Sequence, residues 1–310
     1  MRRALALSLT TVGGFLIVVG IVALVWAPGQ VERTPLDTDN TTYLSGHAQV
    51  AGGADLKLQD TDVLGYSTNK ADADASDDTD VVWGSSLCLV RDEGDIDGCV
   101  DADDPQGRLI SAETDVFATD RHTGLTANDA AGLPDSATPE EGLQNKWPFG
   151  AEKKTYPVWD GLVGHAVDAT YESTQDIDGI ETYVYRATVS EDGVEVLDGV
   201  PGSYEAVTDY YIEPVTGTII NQVIHQERVA DGIGKILDLD LAFTDDQIQT
   251  NVDDTNDNLA QLHLLETVVP IVGLAVGIPV LLIGFLLLLL GRRTPSAEPA
   301  EPRVDATAGV

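Results

Sequence analysis

TVVPIVGLAVGIPVLLIGFLLLLL, residues 267–290, is a run of 24 residues without a charged side chain. At a rise of about 1.5 Å per residue, such a helix is roughly 36 Å long, and the hydrocarbon core of a bilayer is about 30 Å thick. Its second half is apolar on every face, which favours a membrane span over the helix of an aqueous core. The stretch therefore predicts a transmembrane helix.

A companion run at residues 4–27, ALALSLTTVGGFLIVVGIVALVWA, is equally long and uncharged. Arg2 and Arg3 flank its outer end, and Arg292 and Arg293 flank that of the other run. Because positive residues stay on the cytoplasmic side, residues 1–3 and a disordered tail at 291–310 are expected in the cytoplasm. A cleaved signal peptide is the alternative, but Pro28 would follow the cut. We predict an uncleaved signal anchor in the plasma membrane, with the residues between the spans outside the cell.

The second span contains two glycines four residues apart, Gly273 and Gly277. Small residues at this spacing let two membrane helices approach closely. The partner is either the first span of the same chain or a second copy, which would give a homo-oligomer.

The region between the spans is strongly acidic. It holds 49 of the 52 acidic residues and 12 of the 17 basic ones, a net charge near −37. This charge excludes nucleic acid and anionic lipid headgroups as surface partners. Solubility or salt tolerance explains it, with an acidic patch for a basic partner as the alternative.

Two cysteines, Cys88 and Cys99, lie in this outward region. An oxidising compartment predicts a disulfide between them, which stabilises by about 3 kcal/mol through chain entropy. Neither a second pair nor a Cys-x-x-Cys motif accompanies them, so a redox or zinc role is not expected.

Short strand signals recur along residues 28–243, and turn dipeptides such as Asp192-Gly193 and Asp198-Gly199 separate them. The expected fold is β-rich (α+β): a curled antiparallel sheet or barrel with one transmembrane helix at each end. Thr244 and Gln247 form a capping box, which predicts a juxtamembrane amphipathic helix at residues 244–266.

Two segments follow the same turn pattern: residues 120–124 (DRHTG) and 213–217 (EPVTG). Each follows a strand and ends in Thr-Gly, where glycine supplies the positive φ of a bulged hairpin. The stretch 125–147 between elements is predicted to be an insertion, with a lid as the alternative.

Four aromatic residues cluster within 13 positions: Trp147, Phe149, Tyr156 and Trp159. They form either a core corner packed around prolines or the mouth of a ligand site. They are our candidate ligand-binding residues.

An acidic segment partly follows the calcium-loop pattern through Glu93, Asp95, Asp97, Gly98 and Asp104. It departs from the pattern at its first position, which is Glu, and at its twelfth, which is a short Asp. The alternatives are a calcium site at Glu93, Asp95, Asp97 and Asp104, or an acidic hairpin tip. No other cofactor is expected.

Catalytic motifs are missing from the sequence. It has no Gly-x-Ser-x-Gly, no His-Glu-x-x-His, no phosphate loop and no dinucleotide-binding glycine pattern, and its five histidines are isolated. The chain is therefore not expected to be an enzyme.

Five segments together carry a resemblance: VERTPLD (31–37), DRHTG (120–124), WPFGAEKKTY (147–156), DGIETY (178–183) and PVTG (214–217). They resemble an actinobacterial family of unknown function whose members are often labelled porin PorA family. The resemblance implies an architecture rather than an activity. The porin label does not match the residues, because two helical spans and a charged domain differ from a membrane β-barrel, whose strands need an outward apolar band. The strand-Pro-x-Thr-Gly-strand hairpin also resembles lipoprotein-carrier domains that have a curled β-sheet over a hydrophobic groove. The two-span layout is similar to that of the scavenger-receptor class of lipid transporters.

The sequence thus favours a membrane-anchored cell-envelope protein whose outer β domain binds or transfers a hydrophobic ligand such as a lipid. A structural scaffold of an envelope complex is the alternative. A calcium-binding adhesion protein and a porin-like protein remain behind these two.

Overall fold

The computed structural model describes residues 2–53 and 55–291. These form two compact units: one comprises the chain ends up to Gln30 and from Leu262, and the other comprises residues 31–261. Arg292, Arg293 and the expected cytoplasmic tail lie outside the described residues.

The first unit contains two long apolar helices, α1 (Arg2–Val25) and α4 (Val269–Gly291), and both are long and apolar enough to cross a membrane. They pack antiparallel, since Gly20 lies against Gly273 and Thr10 against Gly284. Outward side chains such as Phe15 and Phe285 are apolar and exposed, which suits contact with lipid.

The glycine face of α4 is covered by α1. A Cβ on Gly273 would lie 2.8 Å from the Gly20 Cα, and one on Gly277 would lie 3.0 Å from the Gly13 carbonyl oxygen. Of the two predicted partners for these glycines, the structure shows the first helix of the same chain. Gly273 and Gly277 are therefore not available to a second copy in this structure.

The second unit is one antiparallel sheet of ten strands. Their bounds are β1 Asp39–Gly52, β2 Lys57–Asp72, β3 Asp80–Arg91, β4 Leu109–Asp120, β5 Tyr156–Asp160, β6 His165–Ile177, β7 Ile180–Leu197, β8 Val200–Ile212, β9 Ile219–Ala230 and β10 Gly234–Phe243. The strand order is β4-β3-β2-β1-β10-β9-β8-β7-β6-β5, so the first and last strands pair in the middle.

The sheet curls until its two edge strands approach. The loop between β4 and β5 supplies the backbone hydrogen bonds that connect them: Ala127 N to Ala118 O, Thr126 N to Gly142 O, Leu143 N to Pro157 O and Trp159 N to Leu143 O, all at 2.8–2.9 Å. This confirms the expected curled antiparallel sheet. Residues 125–126 and 142–143 of the predicted insertion are thus bridging pieces of the sheet.

One face of the curled sheet forms the core. Alternate residues of β1 and β10 interlock there, including Leu44, Ala48, Leu239 and Leu241, and Tyr204 and Ala206 continue the same face on β8. These side chains are all less than 9% exposed. The alternation expected of a half-buried strand is therefore present along the sheet.

Two further helices complete the fold. A four-residue helix, α2 (Pro28–Val31), follows α1, and α3 (Asp245–His263) follows β10 and continues through a π-helical turn (Leu264–Val268) into α4. The Gln247 backbone N–H donates to Thr244 Oγ1 at 3.1 Å, which caps α3 at its start. Ile248, Val252 and Leu259 pack α3 against Ile180 and Ile220.

One predicted turn is wrong. Asp192 and Gly193 lie inside β7, where the register shifts between Asp192 and Val194 and Gly193 has φ +78°. A glycine with positive φ serves a β-bulge as well as a turn, and the long partner β8 keeps the strand continuous here. Asp198 and Gly199 form the turn between β7 and β8 as predicted.

Candidate functional site

The predicted aromatic cluster divides between the core and its edge. Trp147 is 0% and Tyr156 7% exposed, and each ring centroid lies 5.6 Å from that of Tyr185. These two rings are core residues rather than the walls of an open mouth, because Ile212 and Ala169 close around them. A ligand role for the set stays a prediction.

Phe149 and Trp159 are half-buried and lie apart from those two rings. Phe149 stacks on His122, with centroids 5.8 Å apart and planes at 13°, and Lys146 Nζ lies 3.2 Å from its ring centroid. Burial lowers the pKa of Lys146 to about 7. The Phe149 ring thus packs against both the His122 imidazole and the Lys146 side chain.

The sequence motifs converge at this point. Thr34 N and Oγ1 donate to the Arg121 carbonyl at 2.8 and 3.1 Å, and His122 Nδ1 donates to the Glu32 carbonyl at 2.8 Å. Lys146 Nζ reaches Thr34 Oγ1 at 3.5 Å. The Phe149 N–H donates to the His122 carbonyl at 3.2 Å, so three of the segments that carry the resemblance form one hydrogen-bonded junction.

The two Thr-Gly turns have the same internal structure. Asp120 Oδ1 accepts from the N–H and the hydroxyl of Thr123, and Glu213 Oε2 accepts from the same two groups of Thr216. The second turn joins β8 to β9 as a hairpin, as predicted. It also receives the aromatic segment, since Trp147 N donates to Gly217 O at 3.0 Å.

The predicted disulfide is present. Cys88 and Cys99 are bonded with their Cα atoms 5.9 Å apart. The bond fixes the loop after β3 onto the sheet, where Tyr66 and Val90 pack around Cys88.

The acidic segment does not gather into a cation site. Asp104, the expected twelfth ligand, forms a two-pronged ion pair with Arg108, whose hydrogen bonds lower the pKa of Asp104 to about 2. No cluster of three metal-ligating side chains occurs within residues 2–53 and 55–291. Glu93, Asp95 and Asp97 are exposed on the loop, and calcium binding stays a prediction.

A cleft of about 380 Å³ lies between this disulfide loop and the sheet. Its floor is the outer face of β1 to β4, and Asp97, Gly98 and Cys99 of the loop form a wall. A second cavity, also about 380 Å³, lies on the other side of Cys99, beside the Asp104–Arg108 pair. We take the first cleft as the candidate functional site because it combines aromatic and hydroxyl side chains.

The cleft floor consists of two rows that run across the strands. The pairing register places four hydroxyl residues directly opposite one another: Thr41, Thr68, Ser86 and Thr114. The adjacent row is Tyr43, Tyr66, Cys88 and Ala112. Tyr43 and Tyr66 meet edge to face at 5.8 Å, and Tyr43 is 48% exposed.

Sequence reasoning missed these rows. Thr41 and Thr114 are far apart in the chain, and only the register of three strand pairs brings them into line. The available signal was the recurrence of Thr or Ser two positions from Tyr or Cys in β1, β2 and β3.

Comparison with known proteins gives two matches. A Porin PorA protein of Corynebacterium amycolatum is 29% identical over 117 residues, which is 33% of this chain and 28% of that protein. The chain thus matches little more than a quarter of that relative's length. The Porin PorA family profile matches residues 5–286, nearly the whole chain. The chain therefore belongs to the Porin PorA family.

Proposed function

We propose that the chain is a membrane-anchored protein of the cell envelope whose β domain binds an amphipathic ligand such as a lipid. Family membership supports a porin-like envelope protein and no enzymatic role. The observation that carries the proposal is the cleft of about 380 Å³, which has tyrosine rings beside hydroxyl groups. Small-ligand sites commonly have volumes of about 300–1,000 Å³ and combine apolar walls with a few polar groups.

The proposed topology has two spans, residues 4–27 and 267–290. Antiparallel packing of α1 and α4 supports two crossings in opposite directions, with both ends of the chain in the cytoplasm. The β domain at residues 28–243 is then extracytoplasmic, and the helix at 244–266 leads from it to the bilayer. The Cys88–Cys99 disulfide supports an oxidising compartment for this domain.

The ligand is proposed to bind on the outer face of the sheet. The inner face is packed with its own side chains, such as Leu241, Ala206 and Tyr185, so it offers no obvious room for an acyl chain. A cleft of this volume holds one part of a lipid, its headgroup and the adjoining carbons, while the remainder stays outside.

A scaffold role is the second candidate, and the filled inner face favours it. A rigid, closely packed sheet with a strongly acidic surface suits a module that positions other envelope proteins. It differs from the first candidate because it requires no ligand in the cleft.

Lipid retention tests the proposal. The full chain, purified in detergent, is analysed by native mass spectrometry and by lipid extraction. Ala112 is exposed on the cleft floor, so Ala112→Trp fills the cleft, whereas Thr170→Trp on exposed β6 is a matched control. Retained lipid is expected in the wild type and in the control, with at least a fivefold loss in Ala112→Trp. Equal retention in all three, or none, would reject the cleft as a lipid site.

A reporter fused at residue 150 tests the topology. Labelling by a membrane-impermeant reagent is expected in intact cells. Labelling only after lysis would overturn the extracytoplasmic placement, and with it the proposed envelope role.

A further inference from the structure

The hydroxyl row of the cleft has a regular geometry. Thr41, Thr68, Ser86 and Thr114 sit on four successive strands in direct register, so their side chains project from the same face. Strands lie about 4.8 Å apart, which gives the row a length of about 14 Å. Such a row offers hydroxyls at even intervals along one line.

These hydroxyls have unused bonding capacity. Each can donate one hydrogen bond and accept two. In the described residues the row shows one internal contact, between Thr41 Oγ1 and Thr68 Oγ1 at 3.3 Å. Thr41 and Thr114 are exposed, and Thr68 and Ser86 are half-exposed. The row is therefore open to a ligand that both donates and accepts.

The adjoining row supplies an apolar surface. Tyr43 is 48% exposed, and Tyr66 supports it from the neighbouring strand. A pyranose ring has the complementary form, with C–H groups on its faces and hydroxyls around its edge. Aromatic side chains with one apolar face and one polar tip suit such a ligand.

The negative charge of the cleft excludes anionic headgroups, which are the main competing class of ligand. Asp97 and Glu113 carry the charges among the described residues that line the cleft, and no Lys, Arg or His lines it there. A phosphate or carboxylate headgroup would meet two carboxylates and a domain of net charge near −37. Asp97 can instead accept hydrogen bonds from sugar hydroxyls.

We infer that the cleft binds a neutral saccharide, either free or as the headgroup of a glycolipid. The hydroxyl row aligns the edge of the sugar, Tyr43 packs on its face, and Asp97 closes over it from the disulfide loop. This inference rests on the proposed function, because it names the ligand class for the same cleft.

The test uses the full chain in phosphatidylcholine nanodiscs that carry either glucosyl diacylglycerol or plain diacylglycerol. A third sample has maltohexaose added to plain discs. Native mass spectrometry counts retained lipid, and hydrogen exchange reports protection of β1 to β4. Variants are Thr68→Val, which removes a hydroxyl at constant shape, Thr68→Ser, which restores it, and Tyr43→Ala. Thr170→Val is the control, because Thr170 pairs with Thr155 at 3.4 Å outside the cleft.

Glucosyl diacylglycerol is expected to be retained about tenfold more than diacylglycerol. Thr68→Val and Tyr43→Ala should each reduce this about three- to tenfold, with rescue by Thr68→Ser and no change in the control. Melting temperatures establish that each variant is folded. Protection by maltohexaose would show that the sugar alone suffices, and its absence beside glycolipid retention would assign the site to a headgroup.

The remaining outcomes distinguish the lipid-binding proposal from the saccharide inference. Equal retention of both lipids, sensitive to Ala112→Trp, would keep the lipid site and overturn the saccharide inference. Protection by maltohexaose without retention of either lipid would keep the saccharide site and overturn lipid binding. No effect of Thr68→Val and Tyr43→Ala would overturn the inference, and no binding of any probe would overturn both.

Discussion

Thr34 and Arg121 each donate hydrogen bonds to the main-chain carbonyl of the other. Thr34 N and Oγ1 donate to the Arg121 carbonyl, and Arg121 Nε donates to the Thr34 carbonyl at 2.9 Å. This reciprocal contact ties the segment after the first span to the turn that follows β4. It is the centre of the junction where the sequence motifs meet.

Arg121→Gln is expected to lower the free energy of unfolding by about 2–3 kcal/mol. The guanidinium also donates to the Asp77 carbonyl at 3.1 Å, so the substitution leaves two backbone acceptors without a charged donor. Urea unfolding followed by circular dichroism measures the loss. Arg186→Gln is the control, because the Arg186 side chain is 50% exposed in its ion pair with Asp209, and its loss should cost only about 1 kcal/mol. Equal losses would contradict a structural role for Arg121.

Gly217→Ala is expected to destabilise by more than about 2 kcal/mol. Gly217 has φ +73°, and a Cβ there would lie 2.1 Å from the Trp147 carbonyl oxygen, so strain and overlap add. Gly199→Ala is the matched control: its φ is +68° with open space around it, so only the backbone cost of about 1 kcal/mol applies. If thermal melts place both variants at the same stability, the aromatic segment is free to move away from the turn.

The buried carboxyl of Glu140 is expected to make the domain less stable as pH rises. It is 2% exposed, and burial, together with Asp115, raises its pKa to about 8 from an ordinary value near 4.5. Between these values the unfolded chain has released the proton and the folded chain keeps it, so the free energy of unfolding falls with pH.

The variant Glu140→Gln should therefore gain stability above about pH 5, by about 1–3 kcal/mol at pH 8, and show a flatter profile. Chemical unfolding at several pH values is the measurement, and exposed Glu141→Gln is the control. A profile unchanged by Glu140→Gln would mean that this carboxyl ionises normally.

Lys146 is expected to have the opposite effect at higher pH, where it makes the free energy of unfolding rise with pH. Burial lowers its pKa to about 7 from about 10.5. Above pH 7 the folded chain has released this proton while the unfolded chain keeps it up to about pH 10.5, so stability rises across this window. Lys146→Met should remove most of the rise, whereas exposed Lys154→Met should leave it in place. Unfolding curves measured between pH 7 and 10 test this. If the free energy of unfolding of Lys146→Met still rises with pH, another group causes the rise.

Loss of the disulfide should destabilise the domain by about 2–4 kcal/mol. The double variant Cys88→Ala/Cys99→Ala also frees the loop that walls the cleft, so ligand retention should fall together with stability. Hydrogen exchange is expected to rise first in residues 92–108. Loss of stability with undiminished retention would show that the loop is dispensable for binding.

Local patterns predicted the local features of this protein. Apolar runs identified both helices that are long and apolar enough to cross a membrane, Thr244 identified the start of α3, and the Thr-Gly turn at Gly217 identified a hairpin. Each of these depends on neighbours within a few residues, so the sequence alone contains the information.

Features that depend on distant pairing were not predictable in this way. Trp147 is buried because Tyr185 and Tyr210 from two other strands surround it. The sequence offered a core corner as one of two alternatives for this cluster, but it did not identify these partners. The cleft rows need the register of β1 to β4, which a one-residue slip would destroy. The Asp192-Gly193 pair predicts a turn in place of the observed bulge, because both structures require a positive φ at the glycine.

The pairing of β1 with β10 has a consequence for biogenesis. Leu44 faces Phe243 across this seam, so the N-terminal meander of four strands cannot complete its pairing until almost the entire domain has been synthesised. In that interval the edge of β1 is unpaired, and a strand from another newly made copy can pair with it. Strand-swapped dimers through β1 are therefore the misassembly to look for when many copies are synthesised at once.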